Sequence, residues 1–456
     1  MESKKQTNLT EGPILQVLTK LALPIMASSF LSTAYSITDM AWIGKLGAKA
    51  VAGVGVGGMY VWLAQGLASL ARMGGQVRLA QALGRNDREE AKHYAKASMQ
   101  LILLFSVIFG AICLMFSDGL VSFFALEDVV TIRYAKIYLQ ITCGCIAFSY
   151  ISYTLTGLYT AQGDSKTPLI ANAIGLVVNM ILDPVLILGL GIAPRMEVVG
   201  AAVATVFSQF LVMLVLILGI FYGKKYENIL REVSILNRPE KYYISQVVKL
   251  GGPTSLQGTI YCGISMILTR LVSAFGEGAI ATQRVGGQIE SVSWNTADGF
   301  AAAMNAFTAQ NYGAGKMDRV RKGYRMSALI LAIWGSIVAV VFILFPTGIS
   351  EMFFHEAEVI PICVSYLVVI GIGEPFMCIE LLAIGAISGM GNTKLCSIIS
   401  IIFTTLRIPL ALFLSSTSLG LNGIWWALTV SSMAKGILLH FAFYRQCRIA
   451  EKNFRF

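Results

Sequence analysis

Twelve apolar runs, each about as long as a bilayer is thick, dominate this chain. A spanning helix needs about 20 mostly apolar residues. The runs fall at 14–42, 50–80, 94–116, 129–158, 168–190, 198–222, 243–274, 278–310, 323–346, 358–387, 394–415 and 421–444. Composition points the same way. Of 456 residues, 56% are hydrophobic and 13% charged, against roughly 25% charged in an ordinary globular domain. The expected fold is an all-α integral membrane protein of twelve transmembrane helices. That excludes a soluble enzyme, a nucleic-acid-binding domain, a disordered scaffold and a secreted disulfide framework. No small-residue cleavage site follows the first run, so it should stay as a helix. Pro13 suits that helix's first position, and Pro24 should bend it.

The net charge of +10 reads as topology rather than as affinity for nucleic acid, because basic residues collect in cytoplasmic loops. With the N-terminus inside, 26 Lys and Arg fall inside and five outside. The inside set includes Lys4, Lys5, Arg85, Arg88, Lys224, Lys225, Arg319 and Arg455; the outside set is Lys45, Lys49, Arg133, Lys136 and Arg195. Asp118, Glu127, Asp128, Glu351, Glu356 and Glu358 make the outer loops acidic. Both termini are expected in the cytoplasm. The eight cysteines show no metal or disulfide spacing and read as small apolar residues. His93, His355 and His440 are too scattered for a zinc site.

The chain repeats itself. A shift of 229 residues brings Pro24 onto Pro253, Gly47 onto Gly276, Gly57-Gly58 onto Gly286-Gly287 and Gln81 onto Gln310. Further on, at a shift of 228, Gly163-Asp164-Ser165-Lys166 meets Gly391-Asn392-Thr393-Lys394. Six spans per half is an even number, so the halves share one topology and relate by a pseudo-twofold along the membrane normal. The expected organisation is an N-lobe at 1–222, a cytoplasmic linker at 223–243 and a C-lobe at 244–456. Two such lobes imply a cleft that opens to alternate sides. No G-x-x-x-x-G-K-[ST] loop is present. The glycines Gly53, Gly55, Gly57 and Gly58 open an apolar helix without a preceding strand, so they should serve close helix packing. Transport energy would come from an ion gradient.

Carboxylates found in one half only stand out. Asp39 falls on Leu268, and Asp183 on Ala411. Asp39 is five residues from Gly44, and Asp183 seven from Leu190, about 7 and 10 Å along a helix. Both therefore sit in the outer half of the membrane. Tyr35 and Asn179 are each i−4 to one of these acids and share its helix face. Thr205 lies near enough to its span's outer start to join them. An acid withdrawn from water favours its neutral, proton-carrying form. Two carboxylates with amide and hydroxyl oxygens would equally suit Na⁺. Intramembrane acids are costly and usually functional, although capping or cross-linking helices would also explain them.

The C-terminal half carries other polar residues. Glu374 and Arg407 sit at equal depth on consecutive spans, and an ion pair between them is expected. Glu290, Arg284 and Asp298 could form a second network or line the cleft, with Glu380 a further candidate. Lys435 reads as packed or snorkelling. Most of the 24 Phe, 17 Tyr, 6 Trp and 18 Met are core or interface residues. A few could line an adaptable pocket for hydrophobic cations.

Several stretches resemble the multidrug and toxic compound extrusion (MATE) family. They are Leu21-Ala22-Leu23-Pro24 with Asp39 and Trp42-Ile43-Gly44-Lys45-Leu46-Gly47, then Ala161 through Pro168, and Asn179-Met180-Ile181-Leu182-Asp183-Pro184. Gln310 through Lys316 and Gly385 through Lys394 also fit. The resemblance covers essentially the whole chain. It implies a non-enzymatic antiporter of six plus six helices that exports hydrophobic or cationic drugs against H⁺ or Na⁺. It also implies an ion site at Asp39, Asp183, Asn179, Tyr35 and Thr205. Some family branches place an acid on the seventh span; here that helix has Gln257, which matches the prokaryotic branch with N-lobe coupling and implies a prokaryotic inner membrane. No cofactor beyond the coupling ion is expected, and the partners are small organic cations and the bilayer. A functional monomer is expected. The alternative is a flippase for a lipid-linked oligosaccharide or another amphiphile, for which Arg270, Arg284 and Arg407 would supply cationic contacts.

Overall fold

The computed structural model describes residues 9–454 apart from 125, 127, 191–193, 223–227, 236 and 355. Lys4, Lys5, Glu127, Lys224, Lys225, His355 and Arg455 therefore lie outside the described residues, as does part of the 223–243 segment. The described residues form α-helices and one short 3-10 turn, with no strand. The first half comprises α1 (Ile14–Gly44), α2 (Ala48–Gly84), α3 (Arg88–Met115), α4 (Ser117–Ser122), α5 (Val129–Gly144), α6 (Ala147–Ala161), α7 (Lys166–Leu188) and α8 (Glu197–Tyr222). The second comprises α9 (Lys241–Ser273), α10 (Glu277–Gly313), α11 (Met317–Leu344), α12 (Pro346–Glu351), α13 (Ile360–Gly389), α14 (Thr393–Thr405), α15 (Arg407–Ser415) and α16 (Leu421–Phe454).

Twelve spans result, with α5–α6 and α14–α15 each making one. Among the described residues nine helical stretches are long and apolar enough to cross a bilayer, and the α5–α6 pair, bent by 49°, makes a tenth. The other two spans are α9 and α10, of 33 and 37 residues. Their apolar content is diluted by Gln257, Glu290 and Asn295, which line a cavity or lie buried.

The repeat is visible in the backbone. Helices α2 and α10 are both 37 residues long, and α3 and α11 both 28. Gly47 and Gly276 precede α2 and α10 at φ 101° and 100°, a region that a side chain would strain. Asp164 and Asn392 occupy corresponding positions as helix caps. Asp164 Oδ1 accepts from the Lys166 and Thr167 amides at 3.0 and 3.1 Å. Asn392 Oδ1 accepts from the Leu395 amide at 3.3 Å. The halves diverge where α5–α6 breaks, because its counterpart α13 runs on through Pro375. Helix α1 likewise continues through Pro24.

The chain divides into two compact units. One is 27–255; the other joins 9–26 to 256–454. The divisions at 26/27 and 255/256 fall at positions that the 229-residue shift superposes, so the start of α1 belongs to the second unit and the start of α9 to the first. In the first unit α2 packs on α3, α5 and α6. Gly53 and Gly57 make that approach possible, since a Cβ there would lie 2.7 Å from Tyr134 Cβ and from Tyr138 Cδ1. Gly55 and Gly58 face open space, so two of the four glycines serve packing. In the second unit α13 lies against α10, α11 and α16. Its most apolar stretch is 61% buried, against 22–39% in the eight other apolar spans, which makes it the axis of that core. Leu18, Leu21, Phe307, Tyr324, Leu382 and Phe443 fill the space around it. The cysteines among the described residues are free, and all but Cys145 are buried.

Candidate functional site

Four helices of the first unit converge on the two unmatched acids. Helix α1 supplies Tyr35 and Asp39, α7 supplies Asn179 and Asp183, α8 supplies Thr205 and α5 supplies Tyr138. Asp183 and Asn179 are fully buried, and Asp39 is nearly so. Asn179 Nδ2 donates to Asp183 Oδ1 at 3.1 Å. Tyr35 OH donates to Thr205 Oγ1 at 3.1 Å, and the Tyr138 hydroxyl reaches the same threonine. The carboxyl groups of Asp39 and Asp183 lie within hydrogen-bonding reach of each other. Asp39 Oδ1, Asp183 Oδ2 and Asn179 Oδ1 have no donor. Pro184 follows directly and cannot donate within α7, so the Met180 carbonyl loses its helical partner.

Two bare carboxylates at this range repel strongly when water is excluded. One proton shared between them, or one cation bridging them, removes the repulsion and satisfies the orphaned oxygens. The second unit shows what the fold does without that demand. The matching residues Leu268 and Ala411 meet in one apolar cluster with Ile264, Val272 and Ile424. The structure thus brings together all five residues expected here and adds Tyr138. Its signal lay in the repeat. At the 228 shift Tyr138 falls on Tyr366, and each tyrosine lies against a glycine at corresponding positions, Gly57 and Gly286.

The second unit holds its own polar group around a cavity lined by Gln257, Glu290, Glu374, Glu380, Arg407 and Lys435. The expected Glu374–Arg407 ion pair does not form. Arg407 Nε and one terminal nitrogen donate instead to Ser431 Oγ and Ser432 Oγ at 3.0 and 3.1 Å. Both Glu374 oxygens are buried, with the Ser293 hydroxyl close by. Equal spacing along the two spans does not pair the two side chains. Of the two readings of Lys435 the structure shows the packed one: its Nζ pairs with Glu380 Oε1 at 2.6 Å, and both side chains are under 10% exposed. Glu290 accepts from Tyr366 OH at 3.3 Å. Arg284 is exposed on α10 and takes no part in lining the cavity, so a Glu290–Arg284 network is not formed; Arg270 is exposed too. Asp298 is half-buried outside the cavity lining.

The sequence and the fold are similar to those of known proteins. "Probable multidrug resistance protein NorM" of Thermotoga maritima is 29% identical over 416 residues, covering 90% of this chain and 88% of that protein. The "FAD transporter" of Shewanella oneidensis is 22% identical over 445 residues, 97% of each chain. The solved outward-facing structure of a multidrug resistance MATE family transporter of the MOP superfamily has the same fold. It matches at a TM-score of 0.90 and 21% identity, covering 99% of this chain and 100% of that one. A family profile, MatE, matches residues 24–185 and 253–413. Its two segments begin at Pro24 and Pro253, the pair that the 229-residue shift superposes, and the chain belongs to the MatE family of membrane transporters.

Proposed function

We propose that this chain is a secondary active antiporter that exports hydrophobic or cationic organic compounds in exchange for H⁺ or Na⁺. The observation that carries this is the facing pair of buried acids, Asp39 and Asp183, each with an oxygen that lacks a donor. An ion entering between them cancels one charge, relieves their repulsion and changes how α1 and α7 attract. Loading therefore favours one arrangement of these helices and release another, which is what coupling requires. Asn179 holds Asp183 in place, while Tyr35, Tyr138 and Thr205 form a hydroxyl shell that can follow a proton or complete a cation's ligands. The relatives named for multidrug resistance support small-molecule export.

The 26-to-5 partition of basic residues supports cytoplasmic termini, and the bacterial relatives support a prokaryotic inner membrane. Both halves lie in one chain, which supports a functional monomer, and the ion supplies the energy without a further cofactor.

Ethidium efflux from proteoliposomes, with pH and Na⁺ gradients imposed in separate runs, tests this reading. Export under one gradient, lost in both Asp39→Asn and Asp183→Asn, is expected. Gradient-driven efflux unchanged in both variants would overturn it. A flippase for an anionic amphiphile has one supporting observation, the buried guanidinium of Arg407. It would show as movement of a fluorescent lipid analogue without ethidium export.

A further inference from the structure

The repeat carries a basic row that the two units treat differently. At the 229-residue shift Lys92, His93 and Lys96 on α3 fall on Arg321, Lys322 and Arg325 on α11. In the first unit this row is covered. Lys92 Nζ pairs with Glu232 at 2.5 Å, while Lys96 Nζ and His93 Nδ1 reach Glu240 at 3.0 and 2.8 Å. Gln100 Nε2 donates to the Ile235 and Asn237 carbonyls, so the chain before α9 lies along α3.

In the second unit the row stays open. Arg321 pairs with Glu451 of α16. Arg325 lies over the Tyr444 ring, 5.9 Å from its centroid. A ring face attracts the guanidinium charge and leaves its N–H groups for a phosphate. Arg448 is four residues after Tyr444 and three before Glu451, so it shares their helix face, level with the space between Arg321 and Arg325. Lys322, Arg325 and Arg448 are exposed. Among the described residues none of the three pairs with a carboxylate. Arg445 and Lys452 extend the patch along α16, and Asp318 in the first turn of α11 is the further acid at this end.

From Lys322 the same face of α11 continues as exposed Met326, Leu329 and Ile333. It runs into a shallow apolar hollow lined by Ile333, Ile337 and Val340. Steps of three and four residues keep these side chains on one stripe. The hollow lies about 12 to 22 Å from Arg325 along the helix. Any lipid tail can cover such a stripe, but basic residues beside a spanning helix select anionic headgroups. We propose that the ends of α11 and α16 at Arg325 and Arg448 dock an anionic phospholipid. Its phosphate sits at Lys322, Arg325 and Arg448, and one acyl chain runs along α11 into the hollow. The site needs the chain to lie in a bilayer and does not depend on the antiport reading.

Native mass spectrometry of the purified full-length protein tests it, with phosphatidylglycerol and phosphatidylcholine of identical acyl chains titrated separately. Phosphatidylglycerol should bind more tightly. A basic residue near an anionic headgroup is worth about fivefold in affinity. Lys322→Gln combined with Arg325→Gln should therefore weaken phosphatidylglycerol about 25-fold and bring it near phosphatidylcholine. Both side chains are exposed, so this variant should fold. The matched variant Lys92→Gln, Lys96→Gln removes cations that are already engaged and should keep the preference. Glycerol 1-phosphate at the lipid's concentration should not displace it, having no chain to lie along α11. Equal binding of the two lipids to the unmodified protein overturns the proposal. So does a preference that survives Lys322→Gln with Arg325→Gln, or one lost equally in the matched variant. Displacement by glycerol 1-phosphate also overturns it, since the patch would then take a soluble anion.

Discussion

Removing Glu380 should damage this protein more than removing Glu380 and Lys435 together. Their ion pair is short at 2.6 Å, and the side chains are 9% and 5% exposed, so water cannot screen whichever charge is left. Breaking a buried pair from one side costs about 3–5 kcal/mol, whereas replacing both partners by apolar residues is often neutral or stabilising. The surroundings set an order between the single variants. Arg407 is close enough to act on the Lys435 charge. Glu380→Gln therefore leaves two neighbouring cations, while Lys435→Met leaves a carboxylate in a cavity that still holds Arg407. Thermal unfolding of the purified protein in detergent should rank Glu380→Gln lowest and Lys435→Met next. The double variant Glu380→Met, Lys435→Met should lie near the unmodified protein. A double variant as unstable as Glu380→Gln would refute the argument, because the loss would then come from packing and not from an unpaired charge.

Two further outcomes rest on local geometry. Gly57→Ala places a Cβ 2.7 Å from Tyr138 Cδ1 and should cost about 1–3 kcal/mol as overpacking. Gly55→Ala meets nothing within 4 Å and should be neutral or gain up to about 1 kcal/mol from helix propensity; unfolding temperatures of the two variants check the contrast. Outside the spans, Asp128 accepts from Lys49 Nζ at 2.7 Å and from the Thr131 amide at 2.8 Å. These contacts hold its carboxyl down at about 2, against about 3.9 when unperturbed. A depressed acid stabilises the fold above its unfolded value and loses that contribution as pH falls through its folded one. The unmodified protein should therefore exceed Asp128→Asn in stability above about pH 4, and the difference should vanish near about pH 2 in a pH series of unfolding curves.

The acidic site was legible because the repeat supplied its own control. Asp39 against Leu268 and Asp183 against Ala411 marked two places where the first half tolerated a charge that the second lacked. Helix periodicity then put Tyr35 and Asn179 on the same faces. Tyr138 was missed because it sits on a fourth span whose facing is hidden by the break between α5 and α6. It could have been found by asking which aromatic the repeat keeps, since Tyr366 takes the matching place beside Glu290. The second unit was less readable. Depth along a span follows from the rise per residue, and it placed Glu374 level with Arg407, yet those side chains have different neighbours. Likewise, Lys435 had the length to snorkel, but the packing of α13 against α16 set Glu380 within 2.6 Å of it.

The spans, the repeat and the depth of each polar residue are one-dimensional properties, written in apolar run length and in a constant 1.5 Å rise. The sequence alone determined them, because lipid leaves the backbone almost no alternative to helices. Which residues meet depends on the rotation and tilt of each helix about its neighbours. Those follow from many small contacts, such as Gly57 against Tyr138, that no single position encodes. Only the tertiary structure could decide that Asp39 faces Asp183, that Arg407 rests on serines, and that Glu290, Glu374 and Arg407 line one cavity of the second unit.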